Sequence, residues 1–523
     1  MLVAATLAGV YLAWDPPSAD LAAQTFRAEL YADLGPSVWN NAWYAGHHLP
    51  GYSLLFPPLA ASLTPQLVAA ISAVASAGLF GAIARHAYGT RARLGSVWFA
   101  AATATNLLTG RLTFALGVAL GLAGLLAIQR CRSALAAGAG ALTALASPVA
   151  GLFLALTGAA AAIARRPAIG GRGAWVGGAA AALGATVAIV ALVLAFPVGG
   201  VEPFVASAFW NVPIFCAAAL VLLPRDERVV RWGVALYALA AIALFAIDNA
   251  AGGNATRLGA LFGGPVLALA LAHRRPVALA VVAVPLLFWQ WSPAVRDVSD
   301  AAGDPSVERA FHAPLIDRLD SLTVGAPARV HVLPTRNRWE AVHVARDYPL
   351  ARGWLRQAES DDFDLFDDGR LTPGSYLAWL RDHGVSYVAV PRGLELDYLA
   401  EDEAELIAGG LDFLDLVWES GDWRLYELTA AAPLVAPADA PLEPPADARL
   451  AALGPDGFEL TADRPGSYLV RVHYTDYWQV EAGEACVSPA GEWTRVDVRE
   501  PSVVRVKASF SLGGLFGGGG DRC

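Results

Sequence analysis

The chain has 523 residues, 56% of them hydrophobic and only 16% charged, with a mean hydropathy of +0.45. That is far from the composition of an ordinary soluble domain, and a formal net charge of −10 speaks against a nucleic-acid partner. The four cysteines (Cys131, Cys216, Cys486 and Cys523) show no metal-type spacing, and no disulfide framework is expected of them.

The apolar excess lies in residues 1–292. A span needs roughly 20 apolar residues, and about eleven candidates follow: near 1–14, 65–84, 94–109, 112–128, 134–147, 149–164, 174–196, 207–223, 232–247, 258–273 and 277–292. The first is short, without a basic leader or a small-residue cleavage pattern. It reads as a retained anchor whose true start lies upstream of Met1. Ser147-Pro148 either separates two spans or kinks one.

Arg and Lys collect in short cytoplasmic loops. With the N-terminus inside, the inner loops carry Arg85, Arg91 and Arg93; Arg130 and Arg132; Arg165, Arg166 and Arg172; Arg225, Arg228 and Arg231; Arg274 and Arg275. The opposite loops hold Arg27, Arg111 and Arg257 beside the acids Asp15, Asp20, Glu29, Asp33, Glu202 and Asp248. The expectation is a multi-pass protein of the plasma (cytoplasmic) membrane, with residues 293–523 extracytoplasmic. One lumped span over 134–164 would break this alternation, so the split is preferred.

The first outer loop, residues 15–63, is long. Asp15-Pro16-Pro17 ends the first span, because proline cannot continue a helix. Asp20 stands at an N-cap position before Leu21, Phe26, Leu30 and Leu34, a spacing that predicts an amphipathic helix on the membrane surface. Next comes a dense run from Trp39 to Tyr52 that includes Trp43, Tyr44, His47 and His48. Aromatics, amides and paired histidines suit a sugar or a lipid headgroup; an aromatic belt is the plainer alternative. Adjacent histidines diverge, so a divalent cation there needs ligands from elsewhere, such as Asp20 or Asp15; hydrogen bonding is the ordinary use of such residues.

Two further outer segments stand out. Asn106 and Arg111 flank a turn between spans, and Asp248–Leu258 contains Gly252, Gly253, Asn254 and Arg257. The glycines permit close approach of a ligand, and Arg257 offers a forked cation to a phosphate or carboxylate. A salt bridge to Asp248 or another outer acid is the alternative.

Residues 293–429 read as an α/β unit. Its strands lie near 329–333, 385–390, 412–418 and 423–428, with one helix from Pro373 to Asp382 and another near 402–409. The acids Asp361, Asp362, Asp364, Asp367 and Asp368 lack full calcium-loop spacing and read as a solvated loop. Residues 430–456 form an Ala/Pro-rich linker, 457–510 a small β-sandwich whose Tyr474, Tyr477 and Trp478 either hold sugar rings or pack the core, and 511–523 a disordered tail.

Asp20–Gln24, Trp43–Ser53, Gly252–Leu258, and Arg338–Ala341 with Pro349–Gln357 together carry a resemblance that spans most of the chain. They are similar to a group of actinobacterial-type integral membrane proteins, and the whole resembles the GT-C glycosyltransferases. The expected fold is an α-helical polytopic membrane bundle followed by an extracytoplasmic α/β unit and a small β-sandwich. GT-C enzymes take a sugar from a polyprenyl-phosphate carrier, using a first-loop carboxylate as base or metal ligand. The resemblance implies transfer to an envelope glycan or lipid acceptor. Asp20, then Asp15, would be that carboxylate, and Arg257 would meet the carrier phosphate. Asn254, Arg111, Trp43, Tyr44, His47, His48 and Tyr52 complete the expected donor site. The family's first loop usually offers more than one well-placed acid, whereas this loop is rich in His and Trp. The other readings are a non-catalytic envelope scaffold or glycan binder, and a lipid-linked glycan transporter, which would need deep polar residues that these spans nearly lack.

Overall fold

The computed structural model describes residues 1–164, 172–197, 200–359, 365–366, 369–515 and 523. The acidic run at 361–364, 367 and 368, the loop arginines Arg165 and Arg166, and tail residues 516–522 lie outside the described residues. The chain forms two compact units: Met1–Asp33 with Gly51–Ala302, and Leu34–Pro50 with Gly303–Cys523.

The first unit is helical. Its elements are α1 (Leu2–Trp14), α2 (Ala19–Leu34), α3 (Phe56–Leu63), α4 (Pro65–Tyr88), α5 (Arg93–Leu108), α6 (Leu112–Gln129), α7 (Ser133–Ala146), α8 (Pro148–Ala164), α9 (Arg172–Ala195), α10 (Ala206–Phe209), α11 (Asn211–Leu222), α12 (Arg228–Ala246), α13 (Thr256–Leu271) and α14 (Pro276–Ala301). Helices occupy all eleven expected segments. Among the described residues, six helical stretches are long and apolar enough to cross a membrane, one of them the continuous Pro65–Leu108. The others are shorter, such as Leu2–Trp14, Ser133–Ala146 and Pro148–Ala164. These helices fit a membrane-spanning protein.

Local chemistry sets the breaks. Ser147 is extended (φ −159°, ψ 111°), as the residue before a proline tends to be, so α7 and α8 are two helices and not one kinked helix. Small residues let backbones touch: a Cβ at Gly184 would fall 2.2 Å from the Ala137 carbonyl, which fixes α9 against α7. The expected surface helix α2 is packed instead. Leu21, Ala22, Ala23, Gln24, Phe26, Arg27, Ala28 and Leu30 are all buried, more of its circumference than one apolar stripe would cover. The last helix also differs from expectation, running past Pro293 to Ala301.

The second unit begins with the short hairpin β1 (Trp39–Asn40) and β2 (His47–His48). Its α/β part is a four-stranded sheet ordered β3 (Arg329–Val332), β4 (Val385–Pro391), β6 (Trp423–Leu428), β5 (Leu414–Glu419), with β3 parallel to β4 and the rest antiparallel. The helix Pro373–Asp382 starts as its sequence dictates: Thr372 and Ser375 form a capping box and Pro373 holds the first turn. The sandwich pairs one sheet, β12-β13-β10-β7, with another, β11-β14-β9-β8. Part of the expected linker is recruited into it, as β7 (Val435–Pro437) and the whole of β8 (Ala448–Gly454). The remaining strands are β9 (Gly457–Ala462), β10 (Gly466–His473), β11 (Trp478–Ala482), β12 (Ala485–Ala490), β13 (Trp493–Val498) and β14 (Ser502–Ala508). Cys486 on β12 is disulfide-bonded to Cys523, a pairing that cysteine spacing alone did not disclose.

Several imidazoles are buried in this unit. Burial pulls His312, His383 and His473 down to about 4 and pushes the Glu340 carboxyl up to about 7. An unfolded chain takes up histidine protons near 6.5 and the folded one only near 4, so their stabilisation is complete above about pH 6.5 and is lost as pH falls towards 4. Glu340 opposes this, because its folded form keeps a proton that the unfolded chain gives up near 4.5. Three imidazoles outweigh one carboxyl. The thermal midpoint of the second unit, followed by tryptophan fluorescence on the full-length protein in nanodiscs, is expected to fall between about pH 7 and about pH 4.5. A constant midpoint would contradict neutral burial of these histidines.

Candidate functional site

The sequence-predicted residues divide between the two units. Asp20, Tyr52, Arg111 and Arg257 come together in the first; Trp43, Tyr44, His47 and His48 belong to the second.

A close backbone approach places Asp20. The turn Thr109-Gly110-Arg111 joins α5 to α6, with the Gly110 N–H donating to the Leu107 carbonyl (3.1 Å) and the Arg111 N–H to the Asn106 carbonyl (2.9 Å). Gly110 has φ +68°, and a Cβ there would lie 2.4 Å from Leu21 N and 2.5 Å from Ser18 Oγ. Only glycine suits that conformation and that gap, so the start of α2 seats directly on the turn. The Asp20 carboxylate then meets two guanidiniums at one oxygen: Arg111 Nε is 3.7 Å from Oδ2 and Arg257 Nη2 is 4.0 Å away.

Arg257 is set by its own loop. Asn249 Oδ1 accepts from the Ala251 and Gly252 N–H groups (2.9 and 2.8 Å), and the Asn249 carbonyl accepts from Glu202 N (3.0 Å). The Tyr237 hydroxyl donates to the Ala255 carbonyl at 2.7 Å, fixing the start of α13. Arg257 Cζ lies 5.7 Å from the Phe114 ring centroid, and its charged surroundings include Arg111, Asp20 and Glu202. Asn254 belongs to the turn Gly252–Ala255 that presents Arg257, and its N–H donates to the Ala251 carbonyl at 2.9 Å.

Both distances to Asp20 exceed those of a hydrogen-bonded ion pair. Arg111 Nε is buried and has no hydrogen-bond acceptor among the described residues. A buried guanidinium donor left unmet is costly, and an oxyanion with several lone pairs would satisfy it. Beside this group, Gln24 Nε2 donates to the Tyr52 hydroxyl at 3.3 Å and Arg27 Cζ stands 3.9 Å above the Tyr52 ring. Asp20, Gln24 and Arg27 recur at helical spacing, so one face of α2 carries all three. A small hollow lined by Thr105, Asn106, Thr109, Arg111, Arg257 and Gln290 adjoins the pair of arginines.

One acid was missed from sequence. Asp297 lies on the part of α14 beyond the expected end at 292, and its charged surroundings include Arg111 and Asp20. The signal was the continued spacing Gln290, Ala294, Asp297, Ala301 past Pro293. Asp15, the second expected carboxylate, is placed differently. It caps α1 in a left-handed conformation and accepts from Gln66 Nε2 at 3.1 Å.

The Trp/His run is used for packing. The Trp43 side chain is fully buried, its indole N–H donates to the Ala341 carbonyl at 2.9 Å, and its ring stacks on His47 with centroids 5.7 Å apart. His48 Nε2 bonds the Thr475 hydroxyl at 3.0 Å, and Asn41 Nδ2 donates to the Gly454 carbonyl at 2.9 Å. Tyr44 is buried as well. Tyr477 and Trp478 are buried, so they serve the sandwich core. Among the described residues, one group of three could reach a single metal ion, Cys486, Asp497 and Cys523, and its two sulfurs are joined to each other.

No family model matches this chain, and no curated protein matches it either.

Replacing fully buried Trp43 by alanine is expected to destabilise the second unit by about 3–5 kcal/mol, read as a lowered melting temperature of the full-length protein. An unchanged melting temperature together with lost glycan binding would instead make Trp43 a ligand platform.

Proposed function

We propose that the group formed by Asp20, Arg111 and Arg257 is the centre of a GT-C-type transferase. It would move a sugar from a polyprenyl-phosphate donor to an envelope glycan or lipid acceptor on the extracytoplasmic face. The observation that carries this reading is one carboxylate flanked by two guanidiniums, with the buried Arg111 Nε left without a hydrogen-bond acceptor among the described residues. The orientation proposed with it has eleven helices crossing the plasma membrane, with the N-terminus in the cytoplasm. Its supports are the arginine-bearing loops on one side and the Cys486–Cys523 bond, which suits an oxidising compartment.

The chemistry is consistent. The acceptor hydroxyl oxygen attacks the anomeric carbon, and its proton passes to an Asp20 oxygen. The bond from the anomeric carbon to the phosphate oxygen breaks, and its electron pair leaves with the lipid phosphate. Arg111 and Arg257 stabilise the charge that develops there. Tyr52, held by Gln24 and Arg27, borders the same space and is assigned to donor binding.

A non-catalytic scaffold is the second reading. It is favoured by the burial of Trp43 and His47, which ties the most ligand-like stretch of the sequence to packing.

The test is sugar release from radiolabelled polyprenyl-phosphate sugars by the purified protein in nanodiscs. Asp20→Asn is expected to lower kcat by about 10²–10⁴-fold, the usual worth of a general base. Arg257→Gln is expected to lower kcat/KM while leaving the fold intact. Equal turnover by the native chain and Asp20→Asn would remove Asp20 from the chemistry and favour the scaffold.

A further inference from the structure

The inner face of α14 carries an acid that the reaction above does not use. Gln290, Ala294 and Ala301 are each buried to within 4% exposure or less, which turns that face inward. Gln290 pins it there: its Nε2 donates to the Ala260 carbonyl on α13 (2.8 Å), and its Oε1 accepts from the Trp98 indole on α5 (2.9 Å). Asp297 follows Gln290 by two helical turns and sits between Ala294 and Ala301 on the same face. Asp297 stands one turn beyond Pro293, which lines the same hollow as Arg111 and Arg257, and its charged neighbours are Arg111 and Asp20 from other elements and Arg296 and Asp300 from its own helix. No ion pair joins Asp297 to Arg111 within 4.0 Å among the described residues, so it acts on that guanidinium through space without occupying its donors.

We propose that Asp297 is a positioning residue of this site: a fixed counter-charge, acting through Arg111, that weakens the hold on the lipid phosphate once the sugar has left. The inference rests on the phosphate reading given above. The donor is a phosphodiester with one negative charge; the product is a phosphomonoester with up to two. Two arginines alone would hold the product more tightly than the donor and stall the cycle. A carboxylate that offsets part of the Arg111 charge weakens the pull on the dianion more than the pull on the monoanion, which evens the two affinities. Asp20 cannot serve this purpose alone, because it gains a proton in the same step.

The experiment titrates the full-length protein in nanodiscs with two lipids, a polyprenyl monophosphate and its methyl phosphodiester. Asp297→Asn is expected to bind the monophosphate about fivefold more tightly and the diester about twofold more tightly, with kcat and KM falling together in turnover. Asp297→Glu keeps the charge and is expected to behave as the native chain. In an Arg111→Gln background, Asp297→Asn is expected to change nothing, as an effect carried by Arg111 requires. Unchanged or weaker monophosphate binding by folded Asp297→Asn would overturn this proposal and leave the phosphate site standing. Failure of the native chain to bind either lipid would overturn both.

Discussion

A partly buried charge at the end of an apolar helical bundle is costly unless countered, and in the first unit that constraint centres on Asp20 and its two arginines. Three separate pieces of chain converge to meet it. The α5–α6 turn brings Arg111, the loop folded around Asn249 brings Arg257, and α2 brings Asp20 itself. Each piece is shaped by backbone detail: Gly110 admits the start of α2, and the Asn249 side chain turns the loop before α13. The pairing is loose, at 3.7 and 4.0 Å, and a purely structural ion pair at this site would gain by closing to hydrogen-bond distance. The gap suits an arrangement completed by an anionic guest.

The long first loop has a different use from the one its composition invites. Leu34–Pro50 leaves the helical unit and folds as part of the second. Within that unit it touches both the α/β part, through Trp43 to Ala341, and the sandwich, through Asn41 to Gly454 and His473 N–H to the Ala45 carbonyl. Tyr44 and Ala45 hold left-handed conformations at φ 55° and 58°, unusual for residues with side chains. Such strain persists only where the surroundings over-determine it, and the buried Trp43, Trp39 and Asn41 supply those surroundings. Dense aromatics with amides and histidines therefore mark an interlocking segment here. A sugar platform would have left some of those rings open.

Much of the architecture was legible in the chain. Hydrophobic runs matched helices in all eleven expected segments among the described residues, and the Thr372-Pro373 start and alternating strands located the α/β unit and the sandwich. The candidate group was legible in part, because the arginine alternation assigned Asp20, Arg111 and Arg257 to loops of one side. Their convergence was not legible, since it depends on the Gly110 contact and on loop geometry that no spacing encodes. Asp297 lies beyond the expected end of the last span at 292, on a helix that continues through Pro293. A proline inside a helix costs one hydrogen bond, and packing of Gln290, Ala294 and Ala301 offsets that loss. The Cys486–Cys523 bond was hidden for a similar reason: the two residues are 37 apart and meet only once the sandwich has formed.

Sugar transfer at this group requires one thing above the rest, that a lipid phosphate seats between Arg111 and Arg257. The most direct measurement is photo-crosslinking of the full-length protein in nanodiscs with a polyprenyl phosphate carrying a diazirine next to its phosphate, followed by peptide mapping. The account predicts labelling concentrated in the segments around Asn106–Phe114 and Gly252–Leu261, competed away by unlabelled polyprenyl phosphate. Labelling spread evenly over the lipid-exposed helices, or confined to the sandwich, would contradict it.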